Sequence, residues 1–380
     1  MEYAFAFVEK LIEVRYEDDF VDRLNYQYTP VLMVVCASLI FAKLAVGSSI
    51  QCFTKAQFKN TWNAYTHDYC LIENTYFVPL NATIPGESER SGPQLAYYQW
   101  TGFILAGLAL LSMFPHVLWR SFNWISGYHI RPLIMECSKT LSDASAQPAV
   151  VKQSANLLLT ASHLDHRYFR IFPRNTFVTF LYFFMKFSFV AAILTQLKTI
   201  SVFLGSFAYP FQVLRYDLGD WQNSGLFPRV TLCDIDIRVP GQYQKYTMEC
   251  TLPLNMLNEK IFVFLFFYLL GLALLTVANI GYWIWLLADR RTLVAQIRQC
   301  QHQSIRSKDA EEKESLLNHE DVSALIDDFA WKMRGLTDLT LVLQLLKKQV
   351  GMFLMSDVFL KMAEIDQETS IERKKMGQRH

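Results

Sequence analysis

Residues 52–70 read CFTKAQFKNTWNAYTHDYC, and residues 233–250 read CDIDIRVPGQYQKYTMEC. Each string opens and closes on a cysteine, and each follows a long apolar run. Of the chain's 7 cysteines, Cys52, Cys70, Cys233 and Cys250 form these two pairs, while Cys36, Cys137 and Cys300 fall elsewhere. Paired cysteines persist as disulfides where the compartment is oxidising, so both strings read as loops outside the cell. Four cysteines allow three pairings, and spacing does not choose among them.

Working outward, the apolar residues of this 380-residue chain collect in four blocks. These run from about Val31 to Gly47, Thr101 to Trp119, Phe177 to Gly205 and Ile261 to Leu287. A helix needs roughly 20 apolar residues to cross a bilayer. The first block is short and is expected to extend beyond Gly47. The third and fourth are long enough to tilt or to project. Residues 1–29 mix charged and apolar residues without a compact apolar core, so the first block is expected to act as the membrane-targeting signal. The expected division is 1–29 N-terminal helix, 30–47 span 1, 48–100 loop, 101–119 span 2, 120–176 loop, 177–205 span 3, 206–260 loop, 261–287 span 4 and 288–380 tail.

Charge gives the orientation. Seven basic residues (Arg120, Arg131, Lys139, Lys152, Arg167, Arg170 and Arg174) stand in 120–175, against Lys55, Lys59 and Arg90 in 48–96. Short loops rich in Lys and Arg stay cytoplasmic. Arg290 and Arg291, directly after span 4, place the tail on the same side. Both termini are then cytoplasmic, which agrees with the cysteine reading by an independent route. The sequon Asn81-Ala82-Thr83 lies in a loop expected outside and is a candidate glycosylation site. The formal net charge of +1 gives no support to nucleic-acid binding.

On a helical wheel, Ala4, Phe7, Val8, Leu11 and Val14 share one face of the N-terminal segment, and Glu2, Glu9 and Glu13 share the opposite one. Folded into a pore mouth and repeated around an oligomer, those glutamates would ring the lumen and attract cations. An interfacial helix with a solvated acidic face has the same pattern. Both readings stand, although anionic lipids would repel such a face. In the tail, Phe329, Met333, Leu336, Leu339, Leu343 and Leu346 recur at steps of three or four, the spacing of one helix face. Residues 140–165 also read as helix.

Two charges fall inside the spans. Lys43 sits near the end of span 1, where it can snorkel. Lys186 lies about ten residues into span 3, and a charge there needs a partner, a cavity or a pore. The alternative, preferred here, starts the span nearer Lys186 and makes Phe177–Met185 a membrane-proximal helix. Pro115, with Gly102 and Gly107, predicts a bent span 2. His163, Asp165 and His166 lack a completing ligand set, so no metal site is expected and a solvated loop is the simpler reading. No phosphate loop, nucleophile elbow or catalytic carboxylate pair appears, so neither enzyme activity nor a cofactor is expected.

Tyr97-Tyr98-Gln99-Trp100, at the start of span 2, resembles the signature of the innexins, the invertebrate gap-junction proteins. The family usually has an apolar residue, often Val followed by Pro, after the Trp; here Thr101-Gly102 stand instead. The first loop carries Cys52-Phe53-Thr54, Gln57-Phe58, Trp62, Tyr65, Tyr69-Cys70 and Asn74 to Pro79. The second carries Phe227 to Thr231, Cys233-Asp234, Ile237-Arg238, Cys250 and Asn255 to Phe262. Both are similar to innexin loops in order and spacing. So are Asp22-Arg23-Leu24-Asn25, Pro115-His116 and Leu118-Trp119-Arg120. The resemblance covers about residues 18–290. Connexins carry three cysteines per outer loop, where this chain has two. Pannexins share the two, but the Tyr-Tyr-Gln-Trp run points to innexins.

The resemblance implies an all-α membrane protein, a four-span subunit of an oligomeric large-pore channel. It implies a small disulfide-stapled extracellular domain, bonded Cys52 to Cys250 and Cys70 to Cys233, and a helical cytoplasmic domain. Subunits, of this chain or of related innexins, would form a hemichannel of about eight in the plasma membrane. Two hemichannels on adjacent cells would dock and pass ions and small metabolites. An undocked, pannexin-like hemichannel and a non-conducting adhesion or scaffold protein are the alternatives.

Overall fold

The structure is a computed structural model that describes residues 18–46, 49–73, 75–79, 82–84, 86, 94–95, 97–140, 145–163, 175–215, 225–309 and 319–377. In chain order come α1 (Phe20–Val46), β1 (Gln51–Cys52), α2 (Asn60–Glu73), β2 (Thr75–Tyr76), β3 (Gln94–Leu95), α3 (Tyr97–Asn123), α4 (Ile130–Lys139), α5 (Gln147–His163), α6 (Phe177–Phe203) and α7 (Tyr209–Arg215). Then follow β4 (Val230–Val239), β5 (Gln242–Thr251), α8 (Pro253–Ala288), α9 (Arg290–Asp309), α10 (His319–Lys332), α11 (Thr337–Val350) and α12 (Met352–Gly377). Among the described residues four helices, α1, α3, α6 and α8, are long and apolar enough to cross a membrane.

Three of these helices outrun the apolar blocks. The first grows at the end opposite to the one expected. Its helix starts at Phe20, whose backbone N–H donates to the Asp19 side chain at 3.0 Å, and Ser49 already lies outside it. The boundary drawn at residue 29 therefore falls inside α1. A π-helical stretch, Leu24–Tyr28, lies in this polar part, a local widening that is frequent at functional sites. Helix α8 begins at Pro253, where the ring's fixed φ suits the first helical position and no N–H is lost. Helix α3 runs from Tyr97 through Pro115 to Asn123. Helix α6 is continuous from Phe177, so Lys186 sits within a single helix.

Two compact units divide the described residues. One takes in the described parts of 1–27, 114–189 and 275–380, and the other those of 28–113 and 190–274. The first is helical. Its core includes Trp119, Leu158, Tyr182, Trp283, Leu343 and Phe359, all buried. The stripe read in the tail enters this core, but on two helices rather than one. Phe329 and Met333 belong to α10 and the 3-10 turn that ends it, whereas Leu339, Leu343 and Leu346 belong to α11. Leu336 between them leaves the helical region at φ −104°, ψ 73°, next to Gly335. A glycine there costs about 1 kcal/mol of helix propensity, which favours a break. Asp338 then opens α11 and reaches back to α6. Its carboxylate accepts the backbone N–H of Val178 at 3.1 Å and of Thr179 at 2.8 Å, and the Thr179 hydroxyl at 2.7 Å. It thereby satisfies donors that the start of α6 cannot pair within the helix.

The second unit contains a five-stranded antiparallel sheet in the order β1-β5-β4-β2-β3, which the reading of the loops did not anticipate. Its backbone is the β4–β5 hairpin, in register from Val230↔Thr251 to Val239↔Gln242. The hairpin turns on Pro240-Gly241. Proline presets φ at the first position, and Gly241 supplies φ +81° at the second. Along β4, Cys233 and Ile235 are fully buried while Asp236 and Arg238 are exposed, the period-2 alternation of a half-buried strand. In the same unit Gly102 of α3 admits Phe41 of α1 so closely that a Cβ would lie 2.7 Å from the ring. The absence of a side chain at Gly102 thus serves close helix packing.

Candidate functional site

The stapled loop domain is built in layers on that sheet. Cys52 of β1 bonds to Cys250, its register partner on β5, with Cα atoms 3.9 Å apart. Cys70, near the end of α2, bonds to Cys233 of β4, with Cα atoms 5.8 Å apart. These are the pairings that the family resemblance implied. Both bonds join the first loop to the second, and their sulfurs lie in a small core with Ile50 and Leu252. The sulfurs of Cys52, Cys70 and Cys250 cluster closely enough to suggest a metal site. Oxidised to disulfides they offer no thiolate ligand, and the thiolate is the form that binds metal.

The Tyr-Tyr-Gln-Trp run has a physical role in this domain. Gln99 donates from Nε2 to the Leu71 carbonyl at 2.6 Å and to that of Ile72 at 3.3 Å, and the Tyr98 hydroxyl donates to Leu71 at 3.3 Å. The last carbonyls of a helix lack intrahelical partners. The first turn of α3 therefore caps the end of α2, one residue after the disulfide at Cys70. Tyr97 packs edge-on against Phe227, with ring centroids 5.6 Å apart. Trp100 is mostly exposed. At the root of α8, Asn255 donates to the Pro228 carbonyl at 2.9 Å, and Glu259 accepts the Tyr209 hydroxyl at 2.7 Å. These bonds let polar residues continue the helix above the apolar block.

A second constellation lies in the helical unit. Lys186 of α6 donates to both carboxylate oxygens of Asp22, at 2.8 and 3.0 Å, and to Oδ1 of Asn279 on α8 at 2.6 Å. The Tyr182 hydroxyl donates to Asp22 at 3.1 Å. Both charged side chains are about 1% exposed. Next to them Asp19 accepts Asn279 Nδ2 at 2.6 Å and Trp283 Nε1 at 3.0 Å, and pairs with Lys348 of α11 at 3.3 Å. Burial alone would raise the Asp19 pKa. The hydrogen bonds from Asn279 and Trp283 and the charges of Lys348 and Lys186 outweigh it and hold the carboxyl below its ordinary value. Gln349 donates to the Asp18 carbonyl at 2.7 Å, and His116 Nε2 of α3 lies 3.1 Å from the Asp18 carboxylate. The Tyr26 ring stacks on His116 at 3.7 Å. The start of α1 is thus tied to three other long helices and to the tail.

Of the predicted site residues, the four cysteines and Tyr97 to Trp100 meet in the loop domain. Glu2, Glu9, Glu13 and Asn81 lie outside the described residues, as do Asp165 and His166; His163 ends α5. Lys186 has two partners, Asp22 and Asn279, which is the reading that the sequence placed second to a later start of the span. Asp18, Asp19 and Asp22 were missed as members of that cluster. Their signal was a run of acids directly ahead of the first apolar block.

The innexin family model matches residues 18–365, from the first residue of the polar cluster to well inside α12. The chain belongs to the innexin family. Innexin unc-9 of Caenorhabditis elegans is 38% identical over 302 residues, covering 75% of this chain and 78% of that protein. Innexin-19 of the same organism is 34% identical over 302 residues, with shares of 74% and 66%. Innexin-17 is 33% identical over 285 residues, with shares of 72% and 77%. In this innexin one constellation lies in the loops between spans and the other at the start of the first span.

Proposed function

We infer that this innexin is a multi-pass membrane subunit of a gap-junction channel, assembled with other innexin subunits. The observation that carries this is the family match across residues 18–365, together with two disulfides that make both loops one body. We extend it as follows. About eight subunits form a hemichannel, both termini are cytoplasmic, and hemichannels on adjacent cells dock through the stapled domains. Prior fixation of those domains lowers the ordering cost of docking. The N-terminal helix lines the cytoplasmic funnel, with Glu2, Glu9 and Glu13 toward the lumen. Its role is conduction rather than catalysis.

The sequon at Asn81 supports a second reading, an undocked hemichannel, because a glycan at the outer rim would add bulk against docking. Paired-cell recording of wild type and Asn81→Gln tests both. Coupling in wild type establishes docking. Coupling only in Asn81→Gln assigns the glycan as the block. Dye uptake by single cells with no coupling in either form favours the hemichannel. Cell aggregation without any conductance would instead support an adhesion role.

A further inference from the structure

Two identical hemichannels meeting head to head are related by two-fold axes, so their meeting surface has to be its own complement. The described part of the loop domain contains a candidate for such a surface. The hairpin β4–β5 is stapled at its root, at Cys233 and Cys250, and runs through Leu252 into α8. Beyond those bonds its strands continue toward the Pro240-Gly241 turn. From Cys233 to Val239 is six residues and from Gln242 to Cys250 eight, which at about 3.3 Å each gives roughly 20 to 26 Å of strand between root and tip.

Near the tip, the outward face of β4 presents Asp236 and then Arg238, two residues along and on the same side. Their neighbour Asp234 is engaged, accepting Thr247 Oγ1 at 2.6 Å and Tyr76 Oη at 3.2 Å. Asp236 is exposed and accepts Tyr243 Oη at 2.6 Å, which leaves capacity on a carboxylate that can take about four donors. Arg238 is exposed and, among the described residues, makes no ion pair or hydrogen bond. Both side chains line a cleft of about 500 Å³ whose other wall is Trp62, Tyr65 and Thr66 of α2. Trp62 is 48% and Tyr65 59% exposed. Trp, Tyr and Arg are the residue types on which association energy concentrates.

An acid and a base two residues apart on one strand form a self-complementary pair. Under a two-fold axis passing between them, each meets its opposite. We propose that Asp236 and Arg238 are the reciprocal recognition pair of this innexin, Asp236 of each copy meeting Arg238 of the opposing copy across the intercellular gap. The proposal rests on the docking reading above. It specifies which residues make docking selective, because a wrong partner would place like charges together, a costly arrangement.

Paired-cell junctional conductance, with surface labelling of each variant, tests it. Asp236→Arg paired with itself sets Arg against Arg, and Arg238→Asp paired with itself sets Asp against Asp. Each is expected to lose at least roughly tenfold in conductance. A cell carrying Asp236→Arg opposite a cell carrying Arg238→Asp restores both contacts and is expected to couple. The double variant Asp236→Arg with Arg238→Asp is expected to couple with itself and not with wild type. It conserves charge, so it serves where a single variant fails to reach the surface. Wild-type coupling alongside self-coupling of both single variants, or a mixed pair as silent as its parents, overturns the proposal and leaves docking intact. Absence of wild-type coupling at full surface expression removes the docking reading, and the proposal with it.

Discussion

Lys186 and Asp22 show how a charge survives in a span. Each is buried, and each meets the other together with a polar third party, Asn279 for the lysine and Tyr182 for the aspartate. Removing one member strands the other. Lys186→Met is expected to cost about 3–5 kcal/mol, whereas Lys186→Met with Asp22→Leu is expected to recover most of that loss. The thermal midpoint of the detergent-solubilised channel measures both. Equal losses in the single and double variants would mean that the pair is not the stabilising unit. Asp19 gives a pH prediction at the same scale. Its folded pKa lies below its unfolded one. Its contribution is therefore complete above the ordinary carboxylate range and fades as pH falls through the depressed folded value. The midpoint is expected to fall on acidification, with a smaller fall in Asp19→Asn. The sequence offered a partner for Lys186 only as the second of two readings, and it did not say which residue the partner is. A span drawn by counting apolar residues stops at the polar run Asp18 to Tyr28, and internal pairing is what makes that run helical.

At the scale of elements, the caps explain most of what pattern reading left out. The hairpin was present in the sequence as Cys-Asp-Ile-Asp-Ile-Arg-Val followed by Pro-Gly, an alternation and a turn. Seven residues of alternation are a weak signal beside four apolar blocks of membrane-spanning length. The tail stripe was legible as a face but not as two helices, since the division depends on Asp338 finding donors 160 residues upstream. Asp338→Ala should leave the N–H groups of Val178 and Thr179 unpaired, at about 1–3 kcal/mol. Limited proteolysis of the tail is expected to quicken in that variant and to change little in Asp338→Asn, which keeps an acceptor. Quickening of the same size in both would assign the loss to charge rather than to capping. In the loop domain, Cys70→Ser with Cys233→Ser releases α2 from the sheet. It is expected to cost about 2–5 kcal/mol and to reduce coupling before surface expression. Loss of expression with coupling per surface channel unchanged would separate the staple from docking.

At the scale of the whole molecule, the polar cluster and the N-terminal glutamates belong to one question. Asp18 and Asp19 are held by α3, α8 and the tail helix α11, through His116, Asn279, Trp283, Lys348 and Gln349. The segment carrying Glu2, Glu9 and Glu13 therefore departs from a fixed point. A helix over its seventeen residues would be about 26 Å long, long enough to reach into a wide pore and too short to wander far from its anchor. If its acidic face rings the lumen, changing Glu2, Glu9 and Glu13 together to Gln should lower the permeability of cations relative to anions. The drop should be larger at 0.01 M salt than at 0.15 M, because the screening length shrinks from roughly 30 Å to about 8 Å. Reversal potentials under a salt gradient report this directly. An interfacial helix predicts instead an unchanged reversal potential and tighter binding of the N-terminal segment to anionic vesicles, since three repelled charges are gone. Loosening the anchor with Lys348→Ala adds an independent arm. A luminal helix released from its tether should widen the spread of single-channel conductance while leaving the glutamates in place, whereas an interfacial helix should leave conductance as it was.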